Sequence, residues 1–205
     1  MTLCIVRHAE SEANERDILA SRMDFPLSAA GEQQARTVAE AFCANHAPEL
    51  IVCSPLKRAR QTAEIFGLAA GEPPLLVREE ITEVHLGRYS GMTYAELERA
   101  EGYVHDKSAR WDWVPDGGGE SYRMIAERVK PFFEWLNGRE EGEILVVCHA
   151  VTMRLLRAHL EDSLPEYPAS IARNGEVWKL DYRGLGRRHA IESLVYEDAL
   201  PERRA

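Results

Sequence analysis

Two arginines and two histidines stand just beyond short apolar segments of this 205-residue sequence. Arg7 and His8 follow the first segment, Arg58 comes soon after the second, and His149 follows the third. A guanidinium offers a planar fork that binds two oxygens of one anion, and an imidazole adds a donor or a nucleophile. Brought together, the four side chains form a cationic pocket for a dianionic tetrahedral group. The pattern therefore predicts chemistry on a phosphate ester.

His8 is the predicted nucleophile of this pocket, and Glu83 is its predicted proton donor. A histidine attacks phosphorus only if one ring nitrogen is unprotonated while an acceptor holds the other, and the sequence does not show that acceptor. Expelling an alcohol also requires a proton. We assign this role to Glu83 because Gly87 and Gly91 mark a tight passage there, which suits a loop entering a site. Asn14 is expected to add a neutral donor.

The apolar segments themselves predict the elements that carry these residues. Residues 3–6, 50–53 and 144–148 are short, unbroken and rich in β-branched side chains, which is typical of strands buried on both faces of a parallel sheet. Ligands collect beyond the carboxyl ends of such strands, where the cationic side chains would lie. We predict an α/β fold of three layers, α/β/α, with a mostly parallel central sheet and an irregular lid insertion.

Helical periodicity separates the predicted strands. Ser28 is expected to cap the first helix, and Ser54 followed by Pro55 indicates the start of a second. A third apolar stripe spans residues 122–136, and Pro131 is expected to kink it. These helices would cover both faces of the sheet.

The last part of the sequence predicts two strands and a tail. Residues 177–182 and 190–196 have strand composition and are close in sequence, so we expect a hairpin at one edge of the sheet. The tail, about 198–205, is predicted to be mobile.

The least regular stretch is about 90–120, which combines several aromatic residues with a proline- and glycine-rich turn. In an α/β domain such an excursion is expected to form a lid or a substrate wall, and Trp111 and Trp113 would lie at its mouth. The alternative is a surface subdomain that packs its own aromatic side chains.

Composition narrows the class of protein. The chain has 45% hydrophobic and 29% charged residues, as globular proteins do, and its length suits one domain over residues 1–205. The formal charge of −9 argues against a nucleic-acid partner. No apolar run reaches the roughly 18 residues of a membrane span. The first residues lack the features of a signal peptide, so we expect a cytoplasmic location and reduced cysteines.

Six segments in order closely resemble the histidine phosphatase superfamily, also called phosphoglycerate mutase-like. Residues 7–14 are similar to R-H-G-E-[ST]-x-x-N, 26–35 to P-L-[ST]-x-x-G-x-x-Q-A, 54–63 to S-x-L-x-R-A-x-x-T-A, 83–91 to E-x-x-x-G-x-x-x-G, 118–121 to G-G-E-S and 147–150 to V-S-H-G. The chain departs from the pattern at Ala9 and Ala150, where the superfamily usually has glycine. These alanines leave open how closely the backbone approaches the phosphate.

The resemblance implies a role for each matched residue. It implies a phosphohistidine at His8, protonation of the leaving oxygen and activation of water by Glu83, and no metal or cofactor. It further implies that the phosphoryl group is bound by Arg7, Arg58 and His149, with Asn14 assisting and Ala150 at the substrate.

The resemblance also implies the branch. The chain resembles the shorter phosphatases, because the cofactor-dependent mutases are longer and carry extra loops. A metal-independent phosphomonoester hydrolase acting on a small phosphorylated metabolite is therefore expected, with mutase-type phosphoryl transfer as the alternative. Phosphosugars, phosphoglycerate derivatives, phosphoserine and nucleotide-like esters all stay open as substrates. A homodimer through an edge strand is a further prediction.

Three rival interpretations use other features of the chain. Cys148 and Arg154 have the C-x5-R spacing of cysteine-dependent phosphatases, although the intervening loop lacks glycines. A phosphate-binding module that has lost turnover is the non-enzymatic alternative. A metal site would have to draw on residues that no ligand-spacing motif connects, namely His8, Glu10, Glu83 and His85.

Overall fold

A computed structural model describes residues 1–196 of the protein, and within them six strands form one sheet. Its order is β3-β2-β4-β1-β5-β6. The strands are β1 (Thr2–Arg7), β2 (Leu50–Cys53), β3 (Leu75–Val77), β4 (Glu143–Cys148), β5 (Val177–Asp181) and β6 (Glu192–Leu194). The first four run parallel, whereas β5 is antiparallel to both β1 and β6. The predicted mostly parallel sheet with a hairpin at one edge is confirmed.

The helices lie on both faces of this sheet. They are α1 (Glu12–Glu15), α2 (Ala29–Cys43), α3 (Lys57–Ala69), α4 (Tyr94–Leu97), α5 (Tyr122–Arg128), α6 (Lys130–Asn137) and α7 (Ala150–Leu160). Successive side chains of β1 point to opposite faces of the sheet and so join two hydrophobic cores. Leu3 and Ile5 pack with residues of α5, α6 and α7, whereas Cys4 and Val6 pack with residues of α2 and α3. The predicted three-layer α/β/α architecture is confirmed.

Strand β3 had no counterpart in the sequence-based prediction. It has three residues, all of them exposed, and it adds to the outer edge of β2. Such a short, exposed strand carries no alternation that could distinguish it from a loop.

The helix starts were only partly predicted. Ser28 caps α2 by accepting a hydrogen bond from Gly31 N, as expected. The expected start of α3 at Ser54 and Pro55 is wrong, because α3 begins at Lys57 and its N-cap is Leu56. The third stripe is interrupted at Val129 between α5 and α6, close to the kink expected there.

The 90–120 segment is irregular, as predicted, with α4 and a short 3₁₀ helix (Lys107–Arg110). An isolated bridge from Ile18 to Thr93 ties it to the loop after α1. The predicted mobile tail, about 198–205, lies outside the described residues. Within residues 1–196, no helix is both long enough and apolar enough to cross a membrane.

Candidate active site

Strands β1, β2 and β4 end at one edge of the sheet, and a cavity of about 180 Å³ opens beyond them. The structure places six of the seven predicted site residues on its lining, namely Arg7, His8, Asn14, Arg58, Glu83 and Ala150. The seventh, His149, is buried directly beside the lining, and its ring centroid lies 5.1 Å from that of His8.

The acceptor that the sequence could not show for His8 is a carbonyl of the next residue. His8 Nδ1 lies 2.7 Å from Ala9 O, and a carbonyl can only accept, so Nδ1 carries the proton. Nε2 is then unprotonated, and it accepts a hydrogen bond from Arg58 Nε at 3.2 Å. Burial lowers the pKa of His8 well below its ordinary value, and the positive charges of Arg58 and Arg7 lower it further. The ring is therefore neutral, and it lies on the cavity lining with its Nε2 lone pair directed at Arg58.

His149 is oriented by the residue that had been expected to cap α3. Ser54 Oγ accepts a hydrogen bond from Leu56 N at 3.3 Å and lies 2.7 Å from His149 Nε2. The hydroxyl proton can then be donated to Nε2, which leaves the ring proton on Nδ1. Burial lowers the pKa of His149, and Arg58 and His8 lower it further. Ser54 thus prepares a neutral N–H donor rather than a helix start.

The two arginines are held by main-chain carbonyls rather than by carboxylates. Arg7 Nη1 donates to Ala172 O at 2.8 Å. Arg58 donates through Nη1 to Met23 O at 2.9 Å and through Nη2 to Ser21 O at 2.8 Å. Burial lowers the pKa of Arg58 to about 10, against the opposing effect of Glu83, so its guanidinium stays charged at neutral pH. Both positive charges are thus available to an anion.

Asn14 is held by its oxygen, so its nitrogen is the group able to donate to a ligand. Oδ1 accepts from Ser11 N at 3.1 Å and from Ser11 Oγ at 2.8 Å. Ala150 begins α7, and the first N–H groups of a helix have no partner within it and favour an anion. Neither Ala9 nor Ala150 is among the described residues with positive φ. The backbone at both positions therefore accommodates alanine in place of glycine.

Glu83 binds the amino end of α7. Its Oε1 accepts from Val84 N at 2.9 Å and from Thr152 N at 3.2 Å, while Oε2 accepts a longer contact from Val151 N at 3.3 Å. These donors fix the carboxyl group against the helix dipole, on the cavity lining. Oε2 is the oxygen with more capacity left to carry a proton.

Hydrogen bonds from Arg22 and Arg128 hold the loop that carries Glu83, and Glu120 links the two arginines. The sequence analysis did not identify these three as site residues. Arg22 donates to Glu83 O at 2.9 Å and to Glu120 at 2.6 Å. Arg128 donates to Glu120 at 3.0 Å and to Thr82 O at 3.1 Å. The G-G-E-S motif had marked Glu120, but only the fold shows that it joins two arginines.

A close contact explains one of the glycines near Glu83. Gly87 has a φ of 55°, and a Cβ at this position would lie 1.9 Å from Asp116 O. Only glycine therefore lets this loop pass so close to the turn at the end of the 90–120 segment. The tight passage inferred from the sequence is present.

Asn174 is a further residue that the sequence analysis missed. Its Nδ2 donates to His8 O at 2.9 Å and lies 3.2 Å from Asn14 Oδ1. Its carbonyl accepts from Gln34, whose Oε1 in turn accepts from Glu10 N at 2.9 Å. Asn174 is therefore a positioning residue for the loop after β1. No local pattern could reveal it, because it lies 166 residues from His8.

Unsatisfied donors are concentrated around this cavity. Over the described part of the chain, four buried side-chain nitrogen or oxygen atoms have no hydrogen-bond partner, and three of them are Arg7 Nε, His149 Nδ1 and Arg154 Nε. Buried polar groups in proteins are nearly always paired, so a cluster of unpaired donors indicates the place of an anionic ligand.

The far side of the cavity is lined by residues that we call the outer wall: Tyr94, Tyr103, Lys107, Arg110 and Arg154. The first four belong to the 90–120 segment, which therefore forms a substrate wall as expected. Trp111 and Trp113, predicted at the mouth, are not on the lining. Trp113 packs on Tyr103 and Trp111 on Tyr167. The wall is thus polar, and the tryptophans support it from behind.

The rival nucleophile and the rival metal site are not supported. Cys148 packs in the core, and burial raises the pKa of its thiol, so no thiolate faces the cavity. The predicted metal ligands His8, Glu10, Glu83 and His85 do not form a cluster. The one potential metal-binding cluster in residues 1–196 lies elsewhere, and it comprises Cys4, His46 and Glu143.

Comparisons with known proteins agree with this geometry. The family model of the histidine phosphatase superfamily (branch 1) matches residues 3–191. Phosphoglycerate mutase-like protein 4 of Arabidopsis thaliana is 33% identical to this chain, and the match covers 87% of this chain and 79% of that protein. Glucosyl-3-phosphoglycerate phosphatase of Mycolicibacterium vanbaalenii is 31% identical, and the match covers 77% of this chain and 73% of that protein. A mycobacterial glucosyl-3-phosphoglycerate phosphatase solved with VO3 superimposes with a TM-score of 0.80 at 26% identity, covering 93% of this chain and 97% of that one.

Proposed function

We propose a specific activity for this chain, which belongs to the histidine phosphatase superfamily (branch 1). It is a metal-independent phosphomonoester hydrolase that acts on a small metabolite through a phosphohistidine at His8. The observation that carries the proposal is the state of the His8 ring. Its Nδ1 proton is held by Ala9 O, its unprotonated Nε2 contacts Arg58, and burial with the charges of Arg58 and Arg7 keeps the ring neutral. Such a nitrogen is nucleophilic at neutral pH without a metal or a further base.

The remaining residues supply the other parts of the reaction. Arg7, Arg58, His149 Nδ1 and the Ala150 N–H would bind the three non-bridging oxygens of the phosphoryl group, with Asn14 Nδ2 assisting. As His8 Nε2 bonds to phosphorus, the bond to the ester oxygen breaks, and Glu83 gives that oxygen its proton. Glu83, now ionised, then takes a proton from water as the water oxygen bonds to phosphorus and the bond from phosphorus to His8 Nε2 breaks. Inorganic phosphate leaves, and His8 and Glu83 return to their starting states.

A cavity of about 180 Å³ enclosed by strand ends suits a small phosphate ester rather than a segment of another protein. The comparisons favour the same class, because two of the relatives named above are phosphatases of a phosphorylated metabolite. The family assignment, the neutral His8 and the unpaired donors all support an enzyme that hydrolyses phosphate esters.

The test is a phosphate-ester panel assayed with and without a chelator, on the wild type and on His8→Ala. We expect chelation to leave turnover unchanged and His8→Ala to lower it at least about 10,000-fold, as loss of a catalytic nucleophile does. Rapid acid quench of the wild type should trap an acid-labile phosphoenzyme. His46→Ala is the matched control, because His46 contacts Glu143 at the amino end of β4, opposite the cavity. Full activity in His8→Ala, or activity lost on chelation, would refute the proposal.

Mutase-type transfer is the second candidate, because one relative is named phosphoglycerate mutase-like. The two reactions share the phosphohistidine and differ in its acceptor. Chasing the phosphoenzyme with a hydroxy acid separates them: a phosphatase releases inorganic phosphate, whereas a mutase transfers the group to the acid. Phosphate binding without either product would identify a non-catalytic binding module instead. The cytoplasmic location and the homodimer stay predictions.

A further inference from the structure

A second cluster of reactive side chains lies at the opposite end of the sheet from the cavity. Cys4, His46 and Glu143 each offer one ligand atom, and the three atoms lie within 4.8 Å of one another. Cys4 is near the amino end of β1, and Glu143 is the first residue of β4. The proposed reaction takes place beyond the carboxyl ends of these strands and uses none of the three residues.

The register of the sheet explains why Cys4 and Glu143 meet. Cys4 lies directly opposite Leu145, which is two residues after Glu143 on β4. Cys4 and Leu145 pack in the same core, together with residues of α2. Because alternate side chains of a strand point to one face, Glu143 lies on this face as well. Two neighbouring strands thus place a thiol and a carboxylate side by side under α2.

His46 reaches the same place from the loop between α2 and β2. Its ring is stacked on that of Phe42, in the last turn of α2, with the ring centroids 4.5 Å apart. Its Nδ1 lies 3.1 Å and 3.3 Å from the two carboxylate oxygens of Glu143. The carbonyl of Glu143 accepts a hydrogen bond from Glu49 N, which fixes the start of β4 beside this loop. The imidazole and the carboxylate are therefore already oriented toward each other.

The cluster lies at the boundary between the core and the solvent. Cys4 is fully buried, whereas the side chains of His46 and Glu143 are 9% and 17% exposed. Cys4 is a free cysteine, so its sulfur is not used in a disulfide. An ion can thus enter from the side of Glu143 and keep a water molecule as a ligand while the sulfur stays in the core.

The donor types favour zinc. A thiolate is a soft ligand that prefers zinc to calcium or magnesium, and imidazole and carboxylate are common zinc ligands. Zinc bonds of about 2.0–2.3 Å place the ligand atoms of a tetrahedral site about 3.5 Å apart. His46 and Glu143 are close to this separation, and the adjustment left for Cys4 is on the order of 1 Å. A thiolate and a carboxylate also carry two negative charges, which a divalent ion neutralises.

The sulfur is a neutral thiol in the metal-free protein. Burial raises the pKa of Cys4 to about 12, and the charge of Glu143 contributes to this rise. Formation of a zinc–sulfur bond therefore releases the thiol proton to solvent, as it does in other zinc sites.

We propose that Cys4, His46 and Glu143 bind one zinc ion, with a water molecule as the fourth ligand. The ion joins β1, β4 and the loop after α2, so its role is to stabilise the fold. Four residues of extended chain separate Cys4 from His8, which is about 13 Å. The ion therefore takes no part in the reaction at His8, and its removal by a chelator leaves turnover unchanged. The site does not depend on the proposed function.

Cobalt(II) is the probe for this site, because it occupies zinc sites and reports its ligands by absorption. Titration of the reduced protein should show one cobalt ion per chain, with the visible bands of tetrahedral coordination and a thiolate-to-cobalt charge-transfer band in the near ultraviolet. Zn²⁺ should displace the cobalt. Cys4→Ala should abolish the charge-transfer band. Cys53→Ala, at an equally buried cysteine of the same core, is the matched control and should retain it.

His46→Gln tests the site without altering the core. Loss of this ligand should lower the affinity for zinc at least about 10-fold, since even residues that only support metal ligands contribute that much. Zinc at 100 times its wild-type Kd should raise the Tm of the wild type by about 5 °C or more. At the same zinc concentration, the Tm of His46→Gln should rise by about half as much or less. His105→Gln, at an exposed histidine, should behave as the wild type.

Several outcomes would overturn the site. Absence of cobalt and zinc binding, a charge-transfer band that persists in Cys4→Ala, or an unchanged zinc affinity in His46→Gln would leave only a hydrogen bond between His46 and Glu143. Loss of the cobalt bands in His8→Ala would place the ion at the phosphate end instead. These measurements record binding and melting rather than turnover, so their outcome is separate from that of the phosphatase assay.

Discussion

The two ends of the cavity are built on different principles. At the phosphate end, His8, Arg58, Glu83 and His149 are each at most 9% exposed. Main-chain groups hold the first three, and Ser54 Oγ holds His149. The outer wall is less uniform: Arg110 and Arg154 are buried, but Tyr94 is 58% exposed. Arg110 is oriented by ring contacts and by a carbonyl of the irregular 90–120 segment. The first end is therefore buried throughout, whereas most of the second belongs to an irregular segment.

The difference indicates how one fold could serve several substrates. Residues fixed by the parallel strands cannot move without disturbing the sheet, so the proposed chemistry at phosphorus is tied to the fold. The 90–120 segment lies outside the sheet and tolerates changes of length and sequence more readily. Changes at the phosphate end should affect all substrates alike, and changes in the outer wall should affect their ranking.

The largest effect in this comparison is expected from Glu83→Gln. Loss of the proton donor should lower kcat by roughly 100- to 10,000-fold for alkyl phosphates, and less for p-nitrophenyl phosphate, whose leaving group needs little protonation. The loss should be the same for 3-phosphoglycerate and glycerol 3-phosphate, which share a leaving oxygen. Glu79→Gln, an exposed neighbour, should have no effect. A change in the ranking of the two esters would contradict the division between the ends.

Trp113→Ala should affect stability rather than chemistry. The ring packs on Tyr89 and Tyr103 and under Arg110, so its removal should cost about 2 kcal/mol of unfolding free energy and lower the Tm by about 4–8 °C. Calorimetric melting measures this, and turnover of p-nitrophenyl phosphate at 25 °C should stay within about twofold. Val114→Ala, at an exposed neighbour, is the control. An unchanged Tm with an altered substrate ranking would place Trp113 at the mouth, as the sequence had suggested.

Asn174→Ala should have a smaller effect, spread evenly over the substrates. Removing its hydrogen bonds to His8 O and Asn14 Oδ1 loosens the loop after β1, and a loss of about 1.4 kcal/mol corresponds to about 10-fold in kcat/KM. Kinetics on 3-phosphoglycerate and glycerol 3-phosphate should show equal losses, with Asn45→Ala as the control. A change in the ranking of these esters would assign Asn174 to the outer wall instead.

The last effect concerns the pH dependence of stability and leaves turnover aside. Folding lowers the pKa values of His8 and His149, so below about pH 6.5 the unfolded chain binds protons that the folded chain does not. The unfolding free energy should therefore fall as the pH falls from 6.5 to 5.5, by up to about 1.4 kcal/mol for each buried histidine. Urea unfolding at both pH values measures the slope. His149→Gln should flatten it, whereas His105→Gln, on the exposed part of the 90–120 segment, should leave it unchanged.

Much of the phosphate end was predictable, because local patterns define it. Apolar segments identified β1, β2 and β4, and the parallel arrangement that follows from them brings Arg7, Arg58 and His149 to one edge. The motif match placed Glu83 and Asn14 at the same cavity. The outer wall was predicted only as a region. Its tryptophans were assigned to the mouth, whereas tyrosine, lysine and arginine line it.

The features that were missed depend on contacts between distant parts of the chain. Asn174 reaches His8 across 166 residues, and Arg154 shares its cavity with Lys107 only because α7 and the 90–120 segment pack together. Ser54 was assigned to a helix start because its neighbour Pro55 favours that position. Its hydroxyl orients His149 instead, since α3 begins later and leaves the side chain beside β4.

The sequence by itself determined which side chains stand at the strand ends, and hence the prediction that the site binds and attacks a phosphoryl group. It did so because residue type and strand period are local properties. Only the tertiary structure decided which nitrogen of His8 is unprotonated, which hydroxyl orients His149 and which cations line the outer wall. Each of these depends on the direction of a hydrogen bond or on the distance between elements remote in sequence, and packing alone sets both.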